Sequence, residues 1–193
     1  MRPDILEHGY RPTAKALFTM VRLFSGQPLP DVVRLMMYRP DFFGAHARAF
    51  THQVMRGPSA WSVADRELMA ACISQANDTA FCLAAHTATA ARAYRDAPKV
   101  QAVLADIESA PVEDGLRAVL VLLTKLTRDG TVDAEDMRKV LPTGVTRDQI
   151  TDALAVSAVF NVINRLADTF DFELQTPKGL ETGAKFLLAR GYR

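Results

Sequence analysis

The chain has 193 residues, of which 49% are hydrophobic and 23% are charged, and its formal net charge is +1. Such a chain can bury a core as one globular domain, and its balanced charge argues against nucleic acid as a partner. The first residues lack the pattern of a signal peptide, and no apolar run approaches the about 20 residues of a membrane span. We therefore expect a cytoplasmic protein with no membrane partner.

The chain contains two cysteines, Cys72 and Cys82. Two cysteines are too few for a disulfide scaffold, which indicates free thiols in a reducing compartment. His46 and His52 lie six residues apart and do not share a helix face, so no metal site is predicted. The sequence has no glycine-rich phosphate loop and no nucleophile elbow, and we expect no cofactor.

Apolar residues recur at helical spacing, and the strict alternation of a strand is nearly absent. This pattern predicts an all-α fold, taken as a single domain over 1–193. Prolines lie at or before the proposed helix starts and glycines follow several of the proposed ends. The predicted helices span about 12–25, 30–38, 41–56, 62–77, 79–94, 98–109, 113–128, 133–140, 147–170 and 177–190.

The central feature is an antiparallel helical hairpin over about 62–94. Asn77 and Asp78 tolerate the dihedral angles of a turn, and so short a connection folds the second helix back beside the first. In that arrangement Glu67 lies opposite His86 within about one helical turn. The carboxylate and the imidazole are therefore expected to meet.

Cys82 and His86 are four residues apart and share one face of the second helix. The order Glu67, His86, Cys82 is typical of an activated thiol, and the first turn of a helix lowers a thiol pKa. Thr79 is placed either to cap this turn or to donate its hydroxyl to the sulfur. The alternative is that Cys82 and His86 are ordinary core residues of an alanine-rich helix.

Other groups of residues have no assigned chemistry. Cys72 is predicted to be an inert core thiol. A polar face on the helix near the end of the chain is interpreted as solvated or as an interface; it comprises Asn161, Asn164, Arg165 and Asp168. A run of large apolar residues is interpreted as core, with an oligomer interface or a pocket over the thiol as alternatives; it comprises Met36, Met37, Tyr38, Phe42 and Phe43.

The segment DRELMAACISQANDTAFCLAAH, from Asp65 to His86, resembles the signature of the AhpD-like, or carboxymuconolactone decarboxylase-like, superfamily. The upstream strings RPDFFGAHARAF and GPSAWSVADREL resemble the peroxidase-related branch of that superfamily. The downstream string TRDQITDALAVSAVFNVINRLADTF resembles its second half. The resemblance covers about 39–174.

The resemblance implies an all-helical homo-oligomer, as a dimer, trimer or hexamer, with the N-terminal helices and the C-terminal tail peripheral or at an interface. Active members are thiol peroxidases. The resemblance gives Glu67 the role of the assisting glutamate, Cys82 that of the second cysteine of a CxxC motif, and His86 that of the following histidine. Thr79 stands at the position of the first cysteine and cannot form the disulfide of those members.

Two hypotheses follow. In the first, Cys82 of a one-cysteine enzyme attacks a small-molecule peroxide, His86 and Glu67 handle the proton, Thr79 steadies the sulfur, and an external thiol reduces the sulfenic acid. In the second, the protein is a non-redox oligomeric binding protein or a decarboxylase-like enzyme for a small organic acid, and Cys82 is structural.

Overall fold

The computed structural model describes residues 4–38 and 40–192, apart from the side chains of Ile5 and Phe42, and these residues contain helices and no strand. Short turns of 3₁₀ or π type lie at Asp4–Leu6, Pro40–Gly44 and Leu141–Thr143. The α-helices are α1 (Pro12–Ser25), α2 (Asp31–Tyr38), α3 (Ala45–Arg56), α4 (Val63–Ala76), α5 (Ala80–Tyr94), α6 (Ala97–Ala105), α7 (Asp114–Asp129), α8 (Ala134–Val140), α9 (Arg147–Thr169) and α10 (Pro177–Arg190). The all-α prediction is confirmed.

The boundaries of the helices follow local capping chemistry. Ser62 caps α4 and Thr146 caps α9, each within a reciprocal capping box, as their spacing indicates. The predicted end of α6 at 109 is wrong, because the helix stops at Ala105. The carboxylate of Asp106 accepts hydrogen bonds from the backbone N–H of Glu108 and from the Ser109 hydroxyl, and this local turn replaces the last helical turn.

Helix α4 is the centre of the fold. From Glu67 to Ser74 no residue is more than 1% exposed, because α4 is surrounded by α5, α7 and α9. Cys72 is buried within this stretch, as predicted, and Met36 also belongs to the core. Among the described helices α9 alone is long and apolar enough to cross a membrane, and half of its apolar stretch is buried, as in a core helix.

The connection between α4 and α5 is a tight turn. Asp78 has a left-handed φ of 56°, which aspartate tolerates better than most residues. The backbone N–H of Thr79 donates to the carbonyl of Ser74, which closes the turn at 3.0 Å. The two helices consequently pack along their length, and the predicted antiparallel hairpin is confirmed. Helix α10 also packs against α5.

Candidate functional site

Glu67 is the buried centre of a cluster of three donors. Its Oε2 lies 2.7 Å from His86 Nδ1, which confirms the contact predicted from the hairpin. Its Oε1 accepts a hydrogen bond from Arg56 Nη2 at 2.7 Å and another from the Tyr192 hydroxyl at 2.9 Å. Four side chains from α3, α4, α5 and the segment after α10 therefore meet at one carboxylate.

The protonation state of this cluster follows from its contacts. Burial alone would raise the pKa of Glu67, but the hydrogen bond from His86 and the charge and hydrogen bond of Arg56 lower it below its ordinary value of 4.5. The pKa of Tyr192 is raised well above 10.0 by burial and by the Glu67 charge, so its hydroxyl remains a donor. An ionised carboxylate only accepts hydrogen bonds, so His86 must carry a proton on Nδ1. In the neutral ring Nε2 is then the basic nitrogen.

Arg56 and Tyr192 are site residues that the sequence did not reveal. The Arg56 guanidinium lies 5.1 Å from the centre of the Tyr192 ring and also donates to the carbonyl of Leu187 at 3.0 Å. The backbone N–H of Tyr192 donates to His52 Nδ1 at 3.2 Å. The C-terminal segment, which was expected to be peripheral or at an interface, thus also reaches the Glu67 carboxylate within the chain. No periodic pattern links these residues in sequence.

Cys82 lies one helical turn before His86 on the same face of α5 and is only 2% exposed. Within the described residues its sulfur has no hydrogen-bond partner. Burial, and secondarily the negative charge of Asp168, raises the pKa of the Cys82 thiol to about 12. The expected lowering of the thiol pKa by the helix N-terminus is therefore wrong, because removal of the sulfur from water disfavours the thiolate.

Thr79 has neither of the roles predicted for it. It is the residue before α5, but its side chain makes no capping hydrogen bond. Its hydroxyl donates to Asp168 Oδ2 at 2.9 Å and is therefore engaged away from the sulfur of Cys82. The threonine holds the carboxylate of α9 close to the first turn of α5.

The polar face of α9 is solvated only in part, because two of its four members contact the hairpin and the other two are exposed. Asn77 donates to Asn161 at 3.0 Å, and the Ser74 hydroxyl lies 3.2 Å from Oδ1 of the fully buried Asn164. Nδ2 of Asn164 has no hydrogen-bond partner. Arg165 and Asp168 are exposed, as expected for the solvated interpretation.

The site is closed and contains no group of metal ligands. The ring of His86 packs edge-on against Phe160 with centroids 4.4 Å apart, and only 7% of its side chain is exposed. No cluster of three or more potential metal ligands occurs in the part of the chain that the structure describes. A surface groove beside α5 is lined by the opposite face of the helix, including Ala80, Leu83 and Thr87. Cys82 does not line this groove and is only 2% exposed, so reagents must be small to reach it.

Comparison with known proteins shows that part of the chain is similar to a known family. Residues 41–124 match the sequence profile of the carboxymuconolactone decarboxylase family. This segment contains the α4–α5 hairpin with Glu67, Thr79, Cys82 and His86. A search among curated proteins gave no significant match.

Solved structures share the fold. A peroxidase-related protein from Silicibacter sp. TM1040 is 21% identical, with a TM-score of 0.77 and 93% of each chain covered. A peroxidase-related protein from Ralstonia eutropha JMP134, described as an alkylhydroperoxidase AhpD core, is 21% identical, with a TM-score of 0.74 and 95% of each chain covered. A cysteine-to-alanine variant of the debrominase Bmp8, in complex with 2,3,4-tribromopyrrole, is 17% identical, with a TM-score of 0.68 and coverage of 92% of this chain and 90% of the other. Residues 41–124 are thus similar to the carboxymuconolactone decarboxylase family, and the chain as a whole shares the fold of these solved structures.

Proposed function

We propose that this protein is a one-cysteine thiol peroxidase in which Cys82 reduces a small hydroperoxide. The observation that carries the proposal is the buried Glu67–His86 pair, joined at 2.7 Å and located one helical turn from Cys82 on its own face of α5. A histidine whose Nδ1 proton is held by a carboxylate presents Nε2 as a general base. A thiol with such a base beside it fits the pattern of an activated nucleophile.

The raised pKa of Cys82 determines how the reaction begins. At neutral pH the sulfur is a thiol, so its proton has to leave as the sulfur attacks. His86 Nε2 accepts that proton while the sulfur bonds to one peroxide oxygen and the O–O bond breaks. The proton then passes to the departing oxygen, which leaves as an alcohol or water. Cys82 becomes a sulfenic acid, and no charge is left on the protein.

Turnover requires an external thiol, because Thr79 provides no second sulfur. The first external thiol condenses with the sulfenic acid and releases water, which leaves a mixed disulfide on Cys82. A second external thiol displaces Cys82 and leaves as a disulfide with the first. Two thiols are oxidised for each hydroperoxide reduced. The reductant is thus expected to be a small dithiol or a pair of small monothiols.

The test is single-turnover oxidation of a Cys72→Ala variant, in which Cys82 is the remaining thiol. Sub-stoichiometric hydrogen peroxide is added at pH 7, and sulfenic acid is trapped with dimedone and located by mass spectrometry. The expected result is a modified Cys82, with a rate that falls about 100-fold in His86→Phe because the base is lost. A matched control, Cys82→Ser, should show no adduct. Absence of sulfenic acid in the Cys72→Ala protein would refute the peroxidase function.

A second candidate function is a non-redox role on a small organic acid, as a binding protein or a decarboxylase-like enzyme. The observation that favours it is the full burial of the thiol with its pKa raised to about 12, which suits a structural cysteine. In that case the Glu67–His86–Arg56 cluster acts without the sulfur. Binding of small carboxylic acids that survives in Cys82→Ser and is lost in His86→Phe would support this function. Since the fold also occurs in a debrominase, 2,3,4-tribromopyrrole is added to the compounds tested.

A further inference from the structure

Two contacts fix the register of α5 against α9. At the start of α5 the Thr79 hydroxyl bonds to Asp168, and two turns later the ring of His86 packs on Phe160. The two helices therefore run antiparallel along this seam. Cys82 lies between Thr79 and His86, and Asn164 lies between Asp168 and Phe160, so Cys82 and Asn164 are at the same level.

Both of these residues have unsatisfied groups. Asn164 is fully buried, and its Nδ2 has no partner, while its Oδ1 lies 3.2 Å from the Ser74 hydroxyl, which also donates to the Ala70 carbonyl at 2.7 Å. The sulfur of Cys82 has no hydrogen-bond partner among the described residues. A buried amide donor without a partner destabilises the fold unless a bound group or a charged state of a neighbour satisfies it. The structure contains an orphan donor level with the reactive sulfur.

We infer that the Asn164 amide is the hydrogen-bond donor for negative charge that develops at Cys82. While Cys82 is a neutral thiol, the Asn164 amide donates no hydrogen bond. It bonds to the sulfur when the proton leaves and to the oxygen that remains on the sulfur after oxidation. This inference rests on the proposed function for the second bond and is independent of it for the first.

The surroundings of Cys82 explain why such a donor matters. The charged or titratable groups near the thiol are Asp168 on α9, His86 on α5 and Glu67 on α4. Asp168 opposes a thiolate, and His86 has its Nδ1 proton committed to Glu67. A neutral amide can stabilise an anion without adding charge to the resting site. Asn164 therefore stabilises the anionic states of Cys82, which the Asp168 carboxylate destabilises, and leaves the neutral thiol unaffected.

The experiment compares two reactions of Cys82 in the Cys72→Ala background, with and without Asn164→Leu. Alkylation by iodoacetamide at pH 8 reports on the thiolate, and oxidation by hydrogen peroxide reports on the oxygen as well. Loss of one hydrogen bond to the thiolate raises the thiol pKa by about one unit, and the greater nucleophilicity of the more basic sulfur partly offsets this change, so alkylation falls about threefold. Peroxide oxidation should fall more than tenfold, since the bond to oxygen is lost too.

The matched control is Asn161→Leu, one turn earlier on α9, where the amide has its own partners in Asn77 and Ser157. It should leave the alkylation rate unchanged. Folding is checked by circular dichroism, and Asn164→Ala replaces the leucine variant if that variant does not fold. An alkylation rate that is unchanged or higher in both Asn164 variants would overturn the inference, and a higher rate would mean that the carbonyl end of the amide faces the sulfur. If the parent protein forms no sulfenic acid, the peroxidase function fails, while the alkylation comparison still decides the role of Asn164.

Discussion

Replacement of Glu67 by glutamine should destabilise the protein more than any other single loss of charge in the site. The carboxylate is fully buried and accepts from His86, Arg56 and Tyr192. Glutamine keeps the size of the side chain but removes the charge. Its NH₂ group also replaces one acceptor with a donor, which then faces a donor of the cluster.

The magnitude follows from the burial of the partners. The Arg56 side chain is only 10% exposed, so its charge loses a buried counter-ion when Glu67 is neutralised. Removal of one partner of a buried ion pair costs about 3–5 kcal/mol. Whole domains are stable by about 5–15 kcal/mol, so the variant should lose a large part of its free energy of unfolding. Some of the loss should be recovered in the double variant Glu67→Gln with Arg56→Met, which no longer buries an unpaired charge.

The assay is urea unfolding followed by circular dichroism at pH 7. The control is Glu135→Gln, because Glu135 pairs with Arg138 on the surface and its side chain is 64% exposed. Such a surface pair contributes less than about 1 kcal/mol. If Glu67→Gln destabilises the protein no more than this control does, Glu67 is not the ionised centre of the cluster, and the assignment of the Nδ1 proton of His86 fails with it.

Three further results are expected from the same site. Tyr192→Phe should lower the free energy of unfolding by about 1.5–3 kcal/mol, since it removes one hydrogen bond to a buried carboxylate; no change in urea unfolding would contradict the contact with Glu67. Because the folded-state pKa of Glu67 is lowered, the ionised carboxylate should stabilise the folded protein fully above pH 4.5, and this stabilisation should be lost as the pH falls below that value. The corresponding part of the pH dependence of unfolding should be missing in Glu67→Gln, and its persistence there would contradict the lowered pKa. Asp168→Asn should lower the pKa of Cys82 and speed its alkylation severalfold at pH 8, and an unchanged rate would show that the carboxylate does not act on the thiol.

The parts of the structure that the sequence predicted are local. Helical periodicity and capping boxes located the α-helices, and the short turn at Asn77 and Asp78 was enough to predict the meeting of Glu67 with His86. That contact spans only 19 residues of chain. When one turn connects two helices, their spacing in sequence determines which residues face each other.

The missed residues are brought to the site by tertiary packing over long distances in sequence. Tyr192 is 125 residues from Glu67, and Asp168 is 89 residues from Thr79. No period or motif connects positions that far apart. The pKa of Cys82 was mispredicted for a related reason: the position in the first turn is visible in the sequence, but burial depends on how the other helices pack around it.

Thr79 links the family resemblance to the electrostatics of the site. Where CxxC members carry the first cysteine, this chain has a hydroxyl that holds the Asp168 carboxylate, and that carboxylate helps to keep Cys82 protonated. Compared with those members, Thr79 provides no second sulfur, and its hydroxyl also holds the Asp168 carboxylate, whose negative charge disfavours the Cys82 thiolate. Under the proposed peroxidase function, a thiol restrained in this way reacts when a base takes its proton, and the Glu67–His86 pair would supply that base. Loss of His86 should therefore slow the oxidation of Cys82 by peroxide more than loss of any group at the N-terminus of α5 does.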